Sequence, residues 1–235
     1  MDYLELKEYL RAEMLSVDKA LDQAVTLIES ELEPDIGSAV RHGVMSDGKR
    51  LRPILCTTAY RECGGRAEQS VYELAASLEM IHAYSLMHDD LPCMDDAALR
   101  RGQATTHVLF GEDVTMRAGA ALIPAAARQA LHSARKLECG VSGAAAVVQE
   151  LLEAAGAGGM VGGQWLDLLG EGQTLSPKEL DELHRKKTGA LLTASLVMGA
   201  LAATAEKQTV SALASYGRSI GLAFQITDDV LDATQ

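Results

Sequence analysis

Two acidic segments contain the side chains of this sequence that are best suited to chemistry. Residues 88–96 read His-Asp-Asp-Leu-Pro-Cys-Met-Asp-Asp, and residues 228–232 read Asp-Asp-Val-Leu-Asp. Carboxylates this close in sequence raise one another's pKa unless a cation lies among them. Mg²⁺ suits such a place, because it binds oxygen ligands and usually takes one or two carboxylates together with substrate phosphate oxygens. The two segments therefore predict a Mg²⁺ site for a phosphate-bearing substrate.

The surrounding sequence indicates that these carboxylates point into the protein. A single acidic run is commonly a solvated helix end, but both segments follow stretches of mostly apolar residues. Helical spacing places His82 on the same face as Asp89, and Gln225 on the same face as Asp228. Polar faces of this kind can line a pocket between helices, and buried carboxylates usually mark a functional site.

Three basic segments supply cations for phosphate binding. Residues 48–53 read Gly-Lys-Arg-Leu-Arg-Pro at the start of a predicted helix, where backbone N–H groups and the helix dipole also favour anions. A charged first turn is, however, often only solvated. Residues 99–102 read Leu-Arg-Arg-Gly, and residues 185–189 read Arg-Lys-Lys-Thr-Gly within an otherwise apolar helix. Together the three segments predict that two diphosphate groups are bound.

Composition and charge exclude several classes of protein. The 235 residues, of which 48% are hydrophobic, can form one large domain with a substantial core. The net charge of −12 argues against a nucleic-acid partner, because phosphate backbones are bound by clustered Lys and Arg. The four cysteines show neither a disulfide framework nor zinc-ligand spacing. The N-terminus lacks a secretion signal, and residues 190–205 are too polar for a convincing membrane span. We therefore expect a cytoplasmic protein without an integral membrane segment.

Hydrophobic periodicity predicts an all-α fold. Apolar residues from Leu10 to Leu32 recur every three or four positions and predict a first helix that ends before Pro34. Aromatic residues are only 4% of the chain, and no Asn-Gly hairpin signal occurs between alternating strands. Further helices are predicted at residues 36–46, 52–63, 67–90, 113–137, 141–156, 176–204 and 206–232. The predicted separators are Gly64-Gly65, Pro92 and the glycine-rich residues 156–163.

Five ordered motifs resemble those of the trans-prenyltransferases, the short-chain polyprenyl diphosphate synthases. Three are the segments at 48–53, 85–96 and 99–102; the others read Lys-Thr-Gly-Ala-Leu-Leu at 187–192 and Gly-Leu-Ala-Phe-Gln-Ile-Thr-Asp-Asp-Val-Leu-Asp at 221–232. The resemblance spans residues 37–232 and implies the isoprenoid synthase fold, a single helical bundle around a central cavity. It implies one prenyltransferase domain over residues 1–235, and Mg²⁺-dependent condensation of isopentenyl diphosphate with an allylic diphosphate such as dimethylallyl or geranyl diphosphate.

The resemblance also assigns roles to individual residues. Isopentenyl diphosphate would be bound by Lys49, Arg52, His82 and Arg101. The allylic diphosphate would be bound, and its departure promoted, by Arg100, Lys187, Thr188 and Gln225. The Mg²⁺ ligands would be Asp89, Asp95 and Asp228, with Asp90 and Asp232 in partial or supporting positions.

The residue types fit this chemistry. Diphosphate leaves with its bonding electron pair from a carbon that becomes an allylic cation, and Mg²⁺ neutralises the leaving group. Fixed cations and oriented oxygens stabilise the developing charge, so no covalent nucleophile is needed. The double bond of isopentenyl diphosphate attacks the cation. A proton is then lost to the released diphosphate, because the motifs contain no dedicated base.

Tyr84 indicates the length of the product. The growing tail must run from the metal site along an apolar channel beside the helix that carries Asp89, and Tyr84 lies five residues before Asp89. A tyrosine there, with the Asp-Asp-x-x-x-x-Asp form of the first motif, is similar to bacterial farnesyl diphosphate synthases. We therefore expect farnesyl diphosphate as the product. Geranylgeranyl diphosphate is the alternative, since Tyr84 can equally be an ordinary core aromatic residue.

The sequence departs from the family pattern at two points. It ends at Gln235, three residues after Asp232, whereas related synthases continue, so we expect the usual C-terminal helices to be missing. Ala120 stands where the family usually has an aspartate, which is expected to loosen the polar shell near the metal. A non-catalytic prenyltransferase-like subunit and a class I terpene cyclase are therefore alternatives. The intact acidic segments oppose the first, and the motifs for two diphosphates oppose the second.

The resemblance further implies a homodimer. The predicted helix at residues 113–137 is the expected interface, because it carries several apolar side chains. These are Val114, Met116, Leu122, Ile123 and Leu131.

Overall fold

The chain folds almost entirely into helices. The computed structural model describes residues 2–66 and 69–234, and the side chains of residues 228, 229 and 231–234 lie outside the described residues. The described residues form eleven α-helices, one π-helical turn and one two-stranded antiparallel sheet. This confirms the predicted all-α class. No helix among these residues is both long and apolar enough to cross a bilayer.

The chain divides into two compact units. The first comprises Met1–Ile54 and Glu68–Lys136, and the second comprises Leu55–Ala67 and Leu137–Gln235. Each unit has fully buried apolar side chains of its own, such as Leu78 in the first and Met198 in the second. The expectation of a single domain over the whole chain stays a prediction.

The first unit contains most of the N-terminal helices. They are α1 (Tyr3–Glu29), α2 (Pro34–Val44), α3 (Leu51–Glu62), α4 (Gln69–Asp89), α5 (Thr106–Phe110) and α6 (Glu112–Lys136), of which α3 continues into the second unit. Strands β1 (Leu99–Arg100) and β2 (Gln103–Ala104) lie between α4 and α5 in the chain. The boundaries of the helices predicted in this part agree with the observed ones to within two residues. For the first helix only the end before Pro34 was predicted, and that end is confirmed. The short helix α5 was not predicted.

Helix α1 is fixed at its start by local hydrogen bonds and along its length by an apolar face. The Asp2 carboxylate accepts hydrogen bonds from the backbone N–H groups of Leu4 and Glu5, at 2.8 and 2.9 Å. The Glu5 carboxylate accepts one from the Asp2 backbone N–H in return, which completes a capping box. The predicted apolar stripe is buried at Val17, Leu21, Val25 and Ile28.

Helix α4, which carries His82 and Asp89, is buried on most of its sides. It packs mainly against α6 and also contacts α1 and α2. Small buried residues such as Ala118 and Ala126 on α6 allow the two helices to approach closely. Leu122 is also fully buried within the chain. The expectation that Leu122 lies in a dimer interface is therefore wrong, because its side chain already belongs to the core.

A tight hairpin follows the first acidic segment. Leu99 pairs with Ala104 and Arg100 pairs with Gln103 across the two strands. The turn residues Arg101 and Gly102 have φ values of 53° and 79°, as a type I′ hairpin turn requires. This hairpin was not predicted, because Arg-Gly replaces the usual Asn-Gly signal.

The second unit contains the remaining helices. They are α7 (Gly140–Ala155), α8 (Met160–Gly170), α9 (Pro177–His184), α10 (Ala190–Ala202) and α11 (Lys207–Thr234), with the π turn Arg185–Gly189 between α9 and α10. The predicted helix at 176–204 is confirmed as the continuous run of α9, the π turn and α10. Ser176 begins this run with a capping box that includes Glu179.

Helix α8 was not predicted, because its start lies in the glycine-rich stretch that was read as a separator. Gly163 lies inside this helix and faces the π turn. A Cβ at Gly163 would lie 2.5 Å from the Cα of Lys187, closer than atoms can approach. The glycine therefore permits a helix contact that a larger residue would prevent.

Candidate active site

The first acidic segment forms a turn that brings the backbone of Asp95 next to that of Asp89. Helix α4 ends at Asp89, and the backbone N–H of Asp95 donates to the carbonyl oxygen of Asp89 at 2.9 Å. The N–H of Asp96 similarly donates to the carbonyl of Leu91 at 3.1 Å. The chain thus folds back after Pro92, and two aspartates six positions apart become neighbours. Asp89 is half-buried and Asp95 is exposed.

Asp90 is bound by Arg100 rather than turned to solvent. Its carboxylate is buried and accepts hydrogen bonds from Arg100 Nε, at 2.8 Å for Oδ1 and 3.0 Å for Oδ2. Arg100 Nη2 lies 2.6 Å from Oδ1. The hydrogen bond to Asp90 raises the pKa of Arg100, and the charges of Asp89 and Asp95 also raise it, against the effect of burial. The ion pair with Asp90 therefore holds the charged Arg100 guanidinium beside the acidic turn.

The acidic turn offers part of a Mg²⁺ site. Among the described residues no three His, Cys, Asp or Glu side chains converge as a metal site would require. Asp89 and Asp95, brought together by the turn, nevertheless match the one or two carboxylates with which Mg²⁺ is commonly bound, the remaining ligands being water and substrate phosphate. The donor set therefore fits a metal that arrives with a phosphate-bearing substrate.

Arg52 and His82 lie beside one another in the first unit. With Lys49 and Arg101 they make up a group of basic residues that we call the cationic pocket. The Nε of Arg52 is buried and has no hydrogen-bond partner. Burial lowers the pKa of Arg52, Glu79 opposes this effect, and Arg101 adds to it. Burial and then the neighbouring arginines, first among them Arg52, hold the pKa of His82 well below its ordinary value. His82 is therefore neutral at pH 7, beside a guanidinium whose hydrogen-bonding capacity is not fully used.

Arg101 and Lys49 lie at the edge of this pocket. Arg101 Nη1 donates a hydrogen bond to the backbone carbonyl of Asp47, which joins the hairpin turn to the segment before α3. A Cβ at Gly48 would lie 2.8 Å from Arg101 Nη1, so a larger residue there would make the Arg101 side chain shift. Lys49 is exposed. No ion pair joins Lys49, Arg52 or Arg101 to a carboxylate within the described ranges.

Arg50 differs from its two basic neighbours because it faces the protein interior. Its Nε donates to Asp18 at 2.8 Å, its Nη1 to Glu79 at 2.9 Å, and its Nη2 to the backbone carbonyl of Ser46 at 2.9 Å. Burial opposes the charged form, but Glu79 and Asp18 outweigh burial and raise the pKa of Arg50. The sequence did not single out Arg50 for a separate role.

In the second unit, the π turn carries Lys187 and Thr188. Lys187 Nζ is bonded to a carboxylate oxygen of Asp167 on α8. Two glycines let neighbouring helices approach the turn: Gly163 on α8 faces Lys187, and a Cβ at Gly221 on α11 would lie 2.8 Å from Gly189 Cα. Wider π turns inside α-helices are frequent at functional sites.

The sequence analysis missed two residues of this group, Gln164 and Asp167. The side-chain amide of Gln164 is buried, and neither its nitrogen nor its oxygen has a hydrogen-bond partner. A buried amide without partners is costly and usually awaits a ligand or water. The available signal was the pattern Gly-Gly-Gln-x-x-Asp, which places Gln164 and Asp167 three positions apart on one helix.

The remaining predicted residues of the second unit lie on α11. Gln225 is half-buried, and α11 packs against the π turn. The side chains of Asp228 and Asp232 lie outside the described residues, so their predicted metal-binding roles stay predictions.

Tyr84 is buried one helical turn before His88 on α4. The two rings meet edge to face, with centroids 5.3 Å apart and planes at 87°. His88 Nε2 lies 3.2 Å from the backbone carbonyl of Met116 on α6, and burial followed by the charge of Asp89 raises the pKa of the Tyr84 phenol. Tyr84 is therefore held firmly in position near the acidic turn.

Ala120 does not lie where the sequence analysis expected it to act. It is exposed, whereas the preceding residue Gly119 is buried and faces the His88 ring. The expected loosening of a polar shell by Ala120 has no support in the position of this residue.

Comparison with protein families identifies the relatives of this chain. Residues 33–235 match the family model described as Polyprenyl synthetase. The chain belongs to the polyprenyl synthetase family. This confirms the resemblance to trans-prenyltransferases found in the ordered motifs.

A curated relative of this family is geranylgeranyl pyrophosphate synthase 10, mitochondrial, of Arabidopsis thaliana. It is 43% identical over 231 residues, which cover 97% of this chain and 65% of the relative. The chain spans less than two thirds of the length of the curated relatives that it matches first.

Solved structures in the family share the fold. An FPP/GFPP synthase from Zymomonas mobilis superimposes with a TM-score of 0.84 at 33% identity, covering 95% of this chain and 82% of the other. A geranyltransferase from Legionella pneumophila gives a TM-score of 0.86 at 36% identity, covering 96% and 79%. The predicted isoprenoid synthase fold is therefore confirmed.

Proposed function

We propose that the protein is a Mg²⁺-dependent prenyltransferase that condenses isopentenyl diphosphate with dimethylallyl or geranyl diphosphate to give farnesyl diphosphate. The observation that carries this proposal is the Arg52 side chain, whose buried Nε donor has no hydrogen-bond partner. The same unit contains an acidic turn suited to Mg²⁺. Membership of the polyprenyl synthetase family supports it.

Isopentenyl diphosphate is bound by Lys49, Arg52, His82 and Arg101. A diphosphate carries several negative charges, and the cations of this group have no ion pair with a carboxylate among the residues described. His82 is neutral at pH 7, because its pKa is held well below the ordinary value. It contributes a hydrogen bond to the diphosphate without adding another positive charge to the crowded arginines.

The allylic diphosphate is bound by Arg100, Lys187, Thr188 and Gln225. Asp89, Asp95 and Asp228 would hold Mg²⁺, which would neutralise the charge of the leaving diphosphate. Asp90 and Asp167 keep the Arg100 and Lys187 side chains in place through their ion pairs. Such fixed cations favour the departing diphosphate without reorganising during the reaction.

The bond changes then balance without a covalent intermediate on the protein. The allylic C–O bond breaks with both electrons going to the diphosphate, and the isopentenyl double bond supplies the electrons of the new C–C bond. One proton leaves the resulting cation and is taken up by the released diphosphate. The chain supplies position and electrostatic stabilisation.

Farnesyl diphosphate is the proposed product because the Tyr84 ring is buried and fixed against His88. A rigid aromatic ring about one and a half turns before Asp89 would stop a growing tail. Geranylgeranyl diphosphate is the second candidate, favoured by the similarity to the geranylgeranyl pyrophosphate synthase of Arabidopsis thaliana. We further propose a homodimer that uses α6, where Met116 is exposed, and a cytoplasmic location.

Turnover of radiolabelled isopentenyl diphosphate with dimethylallyl, geranyl or farnesyl diphosphate as primer tests the proposal. Chromatography of the dephosphorylated products then gives their length. Incorporation of label that depends on both an allylic primer and Mg²⁺ is expected, with fifteen-carbon products dominant. Absence of incorporation with every primer would favour a non-catalytic subunit. Conversion of an allylic diphosphate alone into a hydrocarbon would favour a terpene cyclase.

A further inference from the structure

Arg50 is the cation of the segment before α3 that the proposed function leaves unused. It is almost completely buried, with 5% of its side chain exposed. Its three hydrogen bonds go to Asp18 on α1, to Glu79 on α4 and to the Ser46 carbonyl. Its backbone φ is 49°, an unfavourable value for a residue with a side chain. These contacts hold Arg50 in one place, near enough to the cationic pocket for its charge to act on His82.

The negative charge of Glu79 acts on a second cation, Arg52, besides Arg50. Its carboxylate is as buried as Arg50, at 6% exposure, and its charge raises the pKa of Arg52. Glu79 and His82 are three positions apart on α4 and so share a face. Arg52 Nε nevertheless has no hydrogen-bond partner. The carboxylate is therefore paired with Arg50, while Arg52, which also feels its charge, keeps a free donor.

A carboxylate bound to Arg52 would compete with a diphosphate. Charge-assisted hydrogen bonds between guanidinium and carboxylate are among the stronger ones in proteins, and the guanidinium has a limited number of donors. A ligand would then have to displace Glu79 before it could bind. Because Arg50 forms ion pairs with both Glu79 and Asp18, the charges of these two carboxylates are already neutralised.

We propose that Arg50 is a positioning residue that sequesters Glu79 and Asp18, so that the neighbouring Arg52 guanidinium stays available to a diphosphate. This inference rests on the proposed function for the identity of the anion. It gives the three cations of residues 49–52 different tasks: Lys49 and Arg52 bind the ligand, and Arg50 binds the carboxylates that would otherwise compete with it.

The test compares Arg50→Met, Glu79→Gln and the double variant with the wild-type chain. Calorimetry with inorganic pyrophosphate gives Kd, and steady-state kinetics give KM for isopentenyl diphosphate and kcat. In Arg50→Met, Glu79 is free to pair with Arg52, so Kd and KM should rise about tenfold or more. The kcat at saturating substrate should change much less, because Arg50 does not touch the reacting atoms.

The double variant separates this role from a merely structural one. Replacing Glu79 by glutamine removes the competing charge, so Arg50→Met/Glu79→Gln should recover a pyrophosphate Kd within about threefold of wild type. If Arg50 only supports the fold, the double variant will bind as weakly as Arg50→Met, and that result would overturn the inference.

Two further variants keep the inference testable. If Arg50→Met does not fold, Glu79→Gln alone should bind pyrophosphate as tightly as wild type or more tightly, and weakening beyond about threefold would contradict the inference. Arg41→Met is the matched control, because Arg41 also bonds two carboxylates, Asp22 and Glu29, but takes no part in the pocket. It should leave the pyrophosphate Kd unchanged, and an equal weakening there would overturn the inference.

The pyrophosphate measurements do not depend on catalysis. If wild type binds pyrophosphate but does not incorporate isopentenyl diphosphate, the proposed function fails while the comparison of Kd values still tests Arg50.

Discussion

At the scale of the residue, the first unit separates charges that are satisfied within the protein from charges that are available to a ligand. Asp90 is bound by Arg100, and Glu79 is bound by Arg50. Arg52 retains a buried donor without a partner. An unsatisfied donor can bind an anion without first breaking an existing hydrogen bond.

Two aspartates of the same turn should differ in their effect on turnover. Asp89→Asn removes a ligand of the proposed Mg²⁺ site, and we expect kcat to fall about a hundredfold or more. Asp96→Asn is the matched control, since Asp96 is exposed and has a φ of 47° that asparagine tolerates. Steady-state kinetics at saturating Mg²⁺ measure both. Equal activity of the two variants would show that Asp89 is not a ligand.

His82 should make stability depend on pH. Its folded pKa is depressed by burial and by the arginines, so the unfolded chain binds more protons between the folded pKa and about 6.5. The stability contributed by neutral His82 is fully present above about pH 6.5 and is lost as the pH falls toward the folded pKa. Urea denaturation over about pH 5 to 8 should show a smaller acid loss in His82→Gln. If the free energy of unfolding falls equally with pH in wild type and in His82→Gln, groups other than His82 cause the loss of stability in acid.

Tyr84 should limit the product. Tyr84→Ala replaces a buried ring by a cavity that a prenyl tail can fill, so products should shift from fifteen to twenty or more carbons. Tyr84→Phe keeps the ring and should keep the fifteen-carbon product. Chromatography of dephosphorylated products compares the three proteins. An unchanged distribution in Tyr84→Ala would place the floor of the channel at another residue.

At the scale of the element, glycines decide which helices can approach the π turn. Gly163→Ala would force the backbone of Lys187 away from α8, because the added Cβ would lie 2.5 Å from Lys187 Cα. We expect KM for the allylic diphosphate to rise about tenfold, with a smaller change for isopentenyl diphosphate. Gly158→Ala is the control from the same glycine-rich stretch, since a Cβ there meets nothing within 4 Å. If both variants behave alike, the change in KM does not come from the contact between Gly163 and Lys187.

The sequence predicts some elements and misses others for physical reasons. The long helices follow from periodicity, because their buried faces repeat every three or four residues. Helix α8 was missed because Gly162 and Gly163 are poor helix formers. Gly163 is required by its contact with Lys187 of the π turn, which is distant in sequence. The acidic turn and its cations were predicted from local motifs. The pairing of Arg50 could not be, because Asp18 and Glu79 lie 32 and 29 residues away.

At the scale of the whole molecule, the overall charge is opposite to the charge of the proposed pocket. The chain carries a net charge of −12, while Arg50, Arg52, Arg100 and Arg101 all influence a single histidine. A cationic pocket in an acidic protein concentrates the attraction for diphosphates at one place, and the remaining surface repels them.

The family resemblance leads us to expect a dimer. Light scattering at micromolar concentration should give twice the 25.0 kDa mass of the chain. Met116→Glu places a charge on the exposed part of α6 and should shift the equilibrium toward monomer. A monomeric wild type would contradict the prediction, and a dimeric Met116→Glu would move the interface away from this residue.

The π turn also determines which face of α9 points toward the protein interior when α10 is held in place. A π turn holds one residue more than an α-helical turn, and each residue of an α-helix rotates the chain by about 100°. Deleting one residue from Arg185–Gly189 would restore an ordinary helix and rotate α9 by that angle, carrying the buried Leu183 toward solvent. The rotation of α9 about its axis relative to α10 is thus determined by the number of residues in a five-residue helical segment. No loop separates the two helices.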